Sequence, residues 1–486
     1  RMHSLEELAT VVAGAHVIGS GKPVVSDVTH DSRQVRPGAL YVAVRGFHAD
    51  GHDYVRQAAD RGAIAVCVDH EVATDLPQLV VPSTRAALGP LAAAVWDHPS
   101  RNFILIGVTG TNGKTTVTHM IEAITKAAGK RTGLIGTVGA RVSGGAETAT
   151  RQFPLDRTTP EASELQRLFA QMSDAGSEVV VMEVSSHALS LGRVAGTDFA
   201  LGAFTNLSQD HLDFHQTMEE YFLAKALLFE MAPVAVVQSD NPWGRRILSR
   251  IPATTTVTEV GEGGELSATD VVLKVDRSTF TLQRGSESVQ VTLPIAGRFN
   301  IDNALIAAGC AGHLDIPLDV IAAGLATLEP VPGRFEHVPS SVGFDIVVDY
   351  AHTPDGVTNA VAAGRAICSG NIIVVVGAGG DRDQAKRPLM GAAAAGADRL
   401  FVTSDNPRTE DPNLIIEQIL EGIEDLSSVT VEPDRRIAIT AAIAAARPGD
   451  LVMILGKGHE LGQDIGGVVY PFDDRVVVRD AMGAST

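Results

Sequence analysis

The chain has 486 residues, 45% hydrophobic and 20% charged, with a formal net charge of -19. That length suggests two to four domains. The acidic balance argues against nucleic acid or an anionic membrane as partner, because the bulk field repels both.

An anionic ligand must therefore meet a local cluster of cations, a bound metal or helix N-termini. Cys67, Cys310 and Cys368 stand apart, with neither ligand nor disulfide spacing, and read as a reducing compartment. No apolar run approaches the ~20 residues of a membrane helix, and a signal peptide's charged start and apolar stretch are missing from the first residues. The expectation is a soluble cytoplasmic protein.

Short β-branched runs alternate with longer Ala-rich segments, which predicts α/β structure with parallel sheets. Two breaks, "WDHPSRN" (Trp96 to Asn102) and "LEPVPGRFE" (Leu328 to Glu336), divide the chain into 1–101, 102–332 and 333–486. The first piece is mixed α/β. The middle piece opens with a run ending in "GVTGTNGKTT", which leads into a helical pattern. Strand, glycine loop, Lys-Thr and helix form the architecture that cradles nucleotide phosphates. Lys114 would reach the outer phosphates and the Thr115 hydroxyl would sit on Mg²⁺. The strict G-x-x-x-x-G-K-[ST] pattern fails by one place, since Val108 stands where glycine is wanted.

Further on, "EVVVMEV" and "LGAFTN" predict two buried strands. Beyond their ends lie Glu183, Ser185, Ser186 and His187, then Asn206, Asp210, His211, Asp213 and His215. Ligands bind at the carboxyl ends of strands in open parallel sheets, so Glu183 and His211 are placed to ligate a cation beside the phosphates. His211 and His215 have the spacing of a zinc pair on one helix face, but H-E-x-x-H is absent. Lys225, in the apolar stretch "YFLAKALLFE", reads on chemistry alone as a lysine snorkelling from a helix. The Thr/Val-rich stretch 254–295 predicts antiparallel strands. The last piece alternates again through "FDIVVDY", "NIIVVVG", "RLFVTSD" and "DLVMILG", a Rossmann-like pattern.

"TGTNGKTT", "MEVSSHAL", "NLSQDHLDFH", "YFLAKALLF", "GRFNIDNALIA", "VPGRFE", "VDYAHTPD", "GGDRDQAKRPLM", "SDNPRTEDP" and "GKGHE" follow one another in this order. Together they resemble the Mur ligases of peptidoglycan synthesis, over nearly the whole chain. The resemblance is greatest to those that add the third residue of the stem peptide. It implies a UDP-binding N-terminal domain, a central P-loop ATPase domain with a parallel and a small antiparallel sheet, and a Rossmann-like C-terminal domain. It further implies a monomer that forms an amide bond at the expense of ATP, through an acyl phosphate.

Carried onto this chain, the resemblance gives ATP to Gly110, Thr111, Asn112, Gly113, Lys114, Thr115 and Thr116, with Asn300, Asn303, Arg334 and Asp349 at the base and ribose. Mg²⁺ would be held by Thr115, Glu183, His211 and Lys225 as its carbamate, with Lys114 also catalytic. UDP-MurNAc-L-Ala-D-Glu would meet His30, Ser32, Phe47, His48, Ala49, Arg157, Thr158, Thr159, Ser185, Leu191 and Arg193. The family has Asn in place of Arg157 and Gln in place of Leu191, so those two contacts depart from its pattern.

"DNPR", here Asp405-Asn406-Pro407-Arg408, matches the pocket of family members that add meso-diaminopimelate. Arg408 offers a planar fork for that ligand's second carboxylate. Asp405 and Asn406 could take the neighbouring ammonium, and Pro407 fixes the turn. Lysine would leave Arg408 unpaired, and sites of this kind can reject such an analogue by about 10⁴–10⁵. Arg382, Gly456 and Glu460 complete the expected contacts. Standing alone, "DNPR" reads as a capped turn before a helix starting near Asn413. Two other readings share the phosphate loop: a folylpolyglutamate-synthase-like ligase and a regulatory P-loop NTPase. "HDSR", "GFHADG" and "DNPR" argue against the former.

Overall fold

A computed structural model describes residues 2–46, 49–146, 149–155, 157–340 and 342–483. Three large sheets follow one another along the chain, each flanked by helices. The class is mixed α/β, as the alternating pattern requires.

The first sheet has five strands in the order His16–Ile18, Gln78–Val80, Ala63–Val68, Ala39–Val42, Asp27–Thr29. All pairs but the first are parallel. The helix Thr84–Val95 covers it and carries it against the middle of the chain. There Gly89 meets Ala195 so closely that a Cβ on Gly89 would lie 2.2 Å from the Ala195 carbonyl oxygen. Arg167 fixes the same boundary by donating to both carboxylate oxygens of Asp27, at 2.8 and 2.9 Å.

The central sheet has eleven strands. Its parallel heart runs Arg131–Gly136, Val179–Glu183, Ile104–Thr109, Leu201–Phe204, Val234–Gln238, Thr256–Val260. Most of these strands are apolar along their length because helices bury both faces, the usual condition of a parallel sheet. The expectation of antiparallel strands across 254–295 is met in part. Thr256–Val260 follows a crossover through the helix Pro242–Leu248 and therefore pairs parallel to Val234–Gln238. Only Leu266–Leu273, Ser278–Arg284 and Glu287–Leu293 form an antiparallel meander.

The third sheet runs Glu336–Val338, Asp345–Asp349, Leu451–Leu455, Ile372–Val376, Arg399–Val402, Val429–Val431, parallel except at its first pair. The four apolar runs expected in this region are its four inner strands. A small hairpin, Gly462–Ile465 with Val468–Pro471, hangs beyond the end of Leu451–Leu455. Among the described residues, no helix is long and apolar enough to cross a membrane.

Ile104–Thr109 sits near the middle of the central sheet, and the helix Lys114–Ala127 follows it after a loop of four residues. That helix is clamped from behind by Leu318–Ala326. The two backbones approach so closely at Gly324 that a Cβ there would stand 2.5 Å from Ile124 Cα. Gly324→Ala adds about 1 kcal/mol of helix propensity, but it forces the two backbones apart. We expect a net loss of about 1–3 kcal/mol, read as a lower denaturant midpoint. An unchanged or raised midpoint would show that this contact does not set the helix position.

Candidate active site

The loop after Ile104–Thr109 turns through two glycines that no other residue could replace. Gly110 has φ 150° and a Cβ there would fall 1.8 Å from Thr205 Oγ1; Gly113 has φ 86° and a Cβ would fall 2.3 Å from Asn303 Oδ1. The loop is laced to the end of the neighbouring strand. Thr111 N donates to Asn206 O at 2.9 Å, Asn112 N to Asn206 Oδ1 at 3.0 Å, and Thr205 Oγ1 to Asn112 O at 2.6 Å.

Lys114 folds back over the loop, its Nζ donating to Gly110 O at 2.8 Å and Thr111 O at 2.9 Å. Lys225 does not snorkel. It points inward from the helix Met218–Met231, fully buried, and donates to the same Gly110 O at 2.8 Å. Its Nζ also lies 4.5 Å from the centre of the Tyr221 ring. Burial, and then the neighbouring Lys114 charge, hold the Lys225 ammonium well below the usual lysine range. Lys114 is lowered as well, chiefly by burial.

A cleft of about 560 Å³ opens in front of these amines, lined by Thr111 to Thr115, Glu183, Asp210 and His211 from the central region and by Arg334, Tyr350, His352 and Glu460 from the next. Glu183 is buried at the end of its strand, where Thr137 donates to it from N at 2.8 Å and from Oγ1 at 3.0 Å. His211 precedes a short helix, Leu212–His215, with φ 54°. Burial holds its imidazole down to about 3, so it is neutral at pH 7 and able to donate a lone pair. His215 does not join it. It is buried and bonded through Nε2 to Ser186 Oγ at 2.8 Å, so the helical spacing does not make a zinc pair.

Asp210 is the hub of this cleft. Its carboxylate lies 3.3 Å from His211 Nε2, 3.6 Å from His352 Nε2 and 3.6 Å from Lys386 Nζ. Burial pushes its pKa up, but the hydrogen bond and charge of His352, with His211 and Lys386, outweigh that and hold it well below the carboxylate range. Asp210 thereby ties the central sheet to the third one. Arg334 does the same, with Nη2 3.0 Å from Thr115 Oγ1 and its guanidinium 4.4 Å above the Tyr350 ring.

A second cavity of about 490 Å³ lies on the other side of the loop. Gly113, Thr116, Asn300, Asn303, Arg334 and Asp349 line it, together with an apolar wall of Trp243, Leu273 and Phe299. All four residues expected at a base and ribose therefore face one slot that begins at the phosphate loop.

Toward the first sheet, the cleft is edged by Arg157, Thr158, Thr159, Ser185 and Arg193. Glu161, which sequence reasoning passed over, holds this edge together. Its two oxygens meet Arg157 Nη1 at 2.8 Å, Arg193 Nε at 2.9 Å and Arg85 Nη1 at 3.0 Å. His30 reaches across the boundary, its Nδ1 3.1 Å from Ser163 Oγ. Ser32 faces inward and donates to Gln57 Oε1 at 2.7 Å. Ala49 O accepts from Gly46 N at 2.8 Å. Leu191 is the half-buried C-cap of the helix Ser186–Ser190. Phe47 and His48 lie outside the described residues.

"DNPR" follows the strand Arg399–Val402 and leads to the helix Pro412–Leu420, capped by Asp411. Asp405 and Asn406 are buried, and Gly456 packs against Asp405. Asn406 donates from Nδ2 to Glu460 Oε2 at 2.8 Å. Arg408, at φ 52°, turns the other way and donates to Gly380 O. Pro407 O packs on Gly380, and the side chains of Arg408 and Arg382 both approach Gly379. Among the expected residues, then, Asp405, Asn406, Gly456 and Glu460 gather at the cleft end, while Arg382 and Arg408 gather at the outer end of the same turn. Lys457, buried between Asn406 and Glu460, was not anticipated; it is the second residue of "GKGHE", whose first and last residues, Gly456 and Glu460, were.

Residues 24–96 match the Mur ligase family catalytic domain, 108–311 the Mur ligase middle domain, and 333–458 the Mur ligase glutamate ligase domain. A UDP-N-acetylmuramoyl-L-alanyl-D-glutamate–2,6-diaminopimelate ligase from Geobacillus thermodenitrificans is 44% identical, over 98% of this chain and 99% of that one. A solved structure of a ligase with that name aligns with TM-score 0.70 and 31% identity, covering 100% and 99% of the two chains. A MurF ligase from Thermotoga maritima, solved in complex with ADP, shares the fold at TM-score 0.66 and 20% identity, covering 95% and 99%. The chain belongs to the Mur ligase family.

Proposed function

We propose that this chain is an ATP-dependent amide ligase that adds meso-diaminopimelate to UDP-MurNAc-L-Ala-D-Glu in peptidoglycan precursor synthesis. The observation that carries this reading is the meeting of two sites in one cleft. Glu460, braced by the "DNPR" asparagine, faces the same space as Lys114, Glu183 and His211.

The reaction brings a carboxylate against a triphosphate, so like charges must be neutralised before any bond forms. Lys114 and the N-terminus of its helix do part of this. Thr115, Glu183 and His211 supply a hydroxyl, a carboxylate and a neutral imidazole to one space, which suits a hard cation such as Mg²⁺. When bound, that ion would screen the phosphate oxygens and polarise the γ-phosphorus. The D-Glu side carboxylate attacks that phosphorus and ADP leaves, giving an acyl phosphate. The diaminopimelate amine then attacks the acyl carbon, loses a proton, and inorganic phosphate departs. Arg157 and Arg193, aligned by Glu161, are suited to the anionic UDP-muropeptide. The slot along Asn300, Asn303 and Asp349 suits a nucleoside, with Trp243 and Phe299 for its base. Because the acyl phosphate hydrolyses readily, the three regions must close around it and exclude water.

Lys225 fits its family role on physical grounds. An amine kept neutral by burial is nucleophilic toward CO₂, and the carbamate it forms, with loss of a proton, puts a negative charge beside Lys114. We place the enzyme in the cytoplasm, as a monomer, on the strength of its unpaired cysteines and the nature of its substrates.

The direct test is phosphate release from ATP with UDP-MurNAc-L-Ala-D-Glu, comparing meso-diaminopimelate with L-lysine. Turnover that ignores both acceptor and amino acid would point to a regulatory NTPase instead. Arg408→Ala should raise KM for diaminopimelate by about 10²–10³-fold, as loss of a paired charge implies, with ATP affinity unchanged. Equal diaminopimelate kinetics in that variant would remove Arg408 from the pocket. Lys225→Ala should lower kcat by about 10²–10³-fold, with partial recovery when a short carboxylic acid is added. Full activity without the acid would dismiss the carbamate.

A further inference from the structure

Lys457 has no place in the chemistry above, yet it is among the most deeply buried charged side chains in the molecule. An ammonium taken out of water is costly unless each of its three donors finds a partner. Here there are three acceptors: Asn406 Oδ1 at 3.0 Å, Glu460 Oε2 at 2.8 Å and Gly462 O at 2.6 Å. They come from three separate pieces, namely the "DNPR" turn, the "GKGHE" loop and the hairpin Gly462–Ile465 with Val468–Pro471.

The hairpin is stitched along the rest of the same turn. Gln463 Nε2 donates to Asp405 O at 2.7 Å, and Asp464 N to Asn406 Oδ1 at 3.0 Å. Arg408 N donates to Asp464 O at 3.0 Å, and Gly466 N returns a bond to Arg408 O at 2.6 Å. These last two bonds hold Arg408 at its positive φ.

The network has a consequence for who can touch a ligand. Asn406 Oδ1 already accepts from Lys457 and Asp464, and its Nδ2 is on Glu460, so Asn406 acts as a strut. Glu460 Oε2 already accepts from Asn406 and Lys457, which leaves Oε1 to meet an incoming ammonium in the cleft. Arg408 stands at the far end of the same turn. The spacing between the Glu460 carboxylate and the Arg408 backbone is therefore set by the braced turn, and a ligand carrying both an ammonium and a distant carboxylate can satisfy both when the Arg408 guanidinium exchanges Gly380 O for that carboxylate.

We propose that Lys457 is a positioning residue for amino-acid selection, acting through Asn406, Glu460 and the hairpin to hold Glu460 and Arg408 at a fixed separation. The proposal rests on the diaminopimelate reading above.

The test is a titration of meso-diaminopimelate and L-lysine at saturating ATP and UDP-MurNAc-L-Ala-D-Glu, in wild type, Lys457→Met and Gln463→Ala, with phosphate release as readout. Wild type must first show diaminopimelate-dependent release. If it does not, the functional reading falls, and the proposal with it. In folded Lys457→Met, checked by circular dichroism, KM for diaminopimelate should rise roughly 10- to 100-fold, the scale of a lost charge-assisted hydrogen bond. KM for ATP should stay within about twofold, and the preference for diaminopimelate over lysine should fall by at least about tenfold. A cation needed only for packing would lower stability and kcat and leave that preference as it was, and this result overturns the proposal. Should Lys457→Met fail to fold, Gln463→Ala decides: it loosens the hairpin without baring a charge. A fall in preference of about threefold or more supports the brace, and an unchanged preference refutes it.

Discussion

Two ammonium groups, Lys114 and Lys225, donate to one carbonyl oxygen, that of Gly110. In a chain with a net charge of -19, this is where positive charge is forced to gather. Burial weakens both cations and the Lys114 charge weakens Lys225 further, while the positive φ of Gly110 and Gly113 lets the loop bring that carbonyl to them. Much of the neighbouring architecture follows from sustaining that crowding. The helix Lys114–Ala127 is clamped from behind at Gly324, the loop is laced to Asn206, and Glu183 and Asp210 supply opposing charge in front. Two amines and a helix N-terminus gathered at one loop are what a polyphosphate subsite needs.

The remaining chemistry is divided among the carboxyl ends of strands in two parallel sheets. The central sheet delivers the phosphate loop, Glu183 and Asn206. The third delivers Asp349, Asp405 and Gly456 from three of its inner strands. Open sheets place ligands at such ends because helices cover both faces and leave only the edge accessible. The two sheets turn those edges toward each other, and long side chains span the gap: Arg334 to Thr115, and His352 and Lys386 to Asp210.

Much of this was legible in the residues. The phosphate loop and the apolar strands declare themselves because glycine conformations and burial leave local traces. The parallel pairing of Thr256–Val260 did not, since alternation records burial and is blind to strand direction. The His211 and His215 spacing misled for a related reason: His211 is the left-handed N-cap and not part of the helix, and the His215 ring is engaged with Ser186 instead. Lys225 looked like a surface lysine because an apolar stretch is equally consistent with a helix facing solvent on one side or buried all round. Glu161 and Lys457 act by holding other side chains across long separations in sequence, and no local pattern marks such partners. The family likeness named the candidate reacting groups; their supports emerged only from the folded chain.

The contact between Gly89 and Ala195 separates the molecule into unequal moving parts. Backbone lies against backbone there, with Asp27 and Arg167 locked beside it. A joint of that kind has no slack, whereas the opposite boundary is bridged by flexible side chains that can let go and find new partners. On the function proposed above, the first two sheets would act as a stationary anvil under the sugar nucleotide and the triphosphate, and the amino-acid pocket would be the hammer.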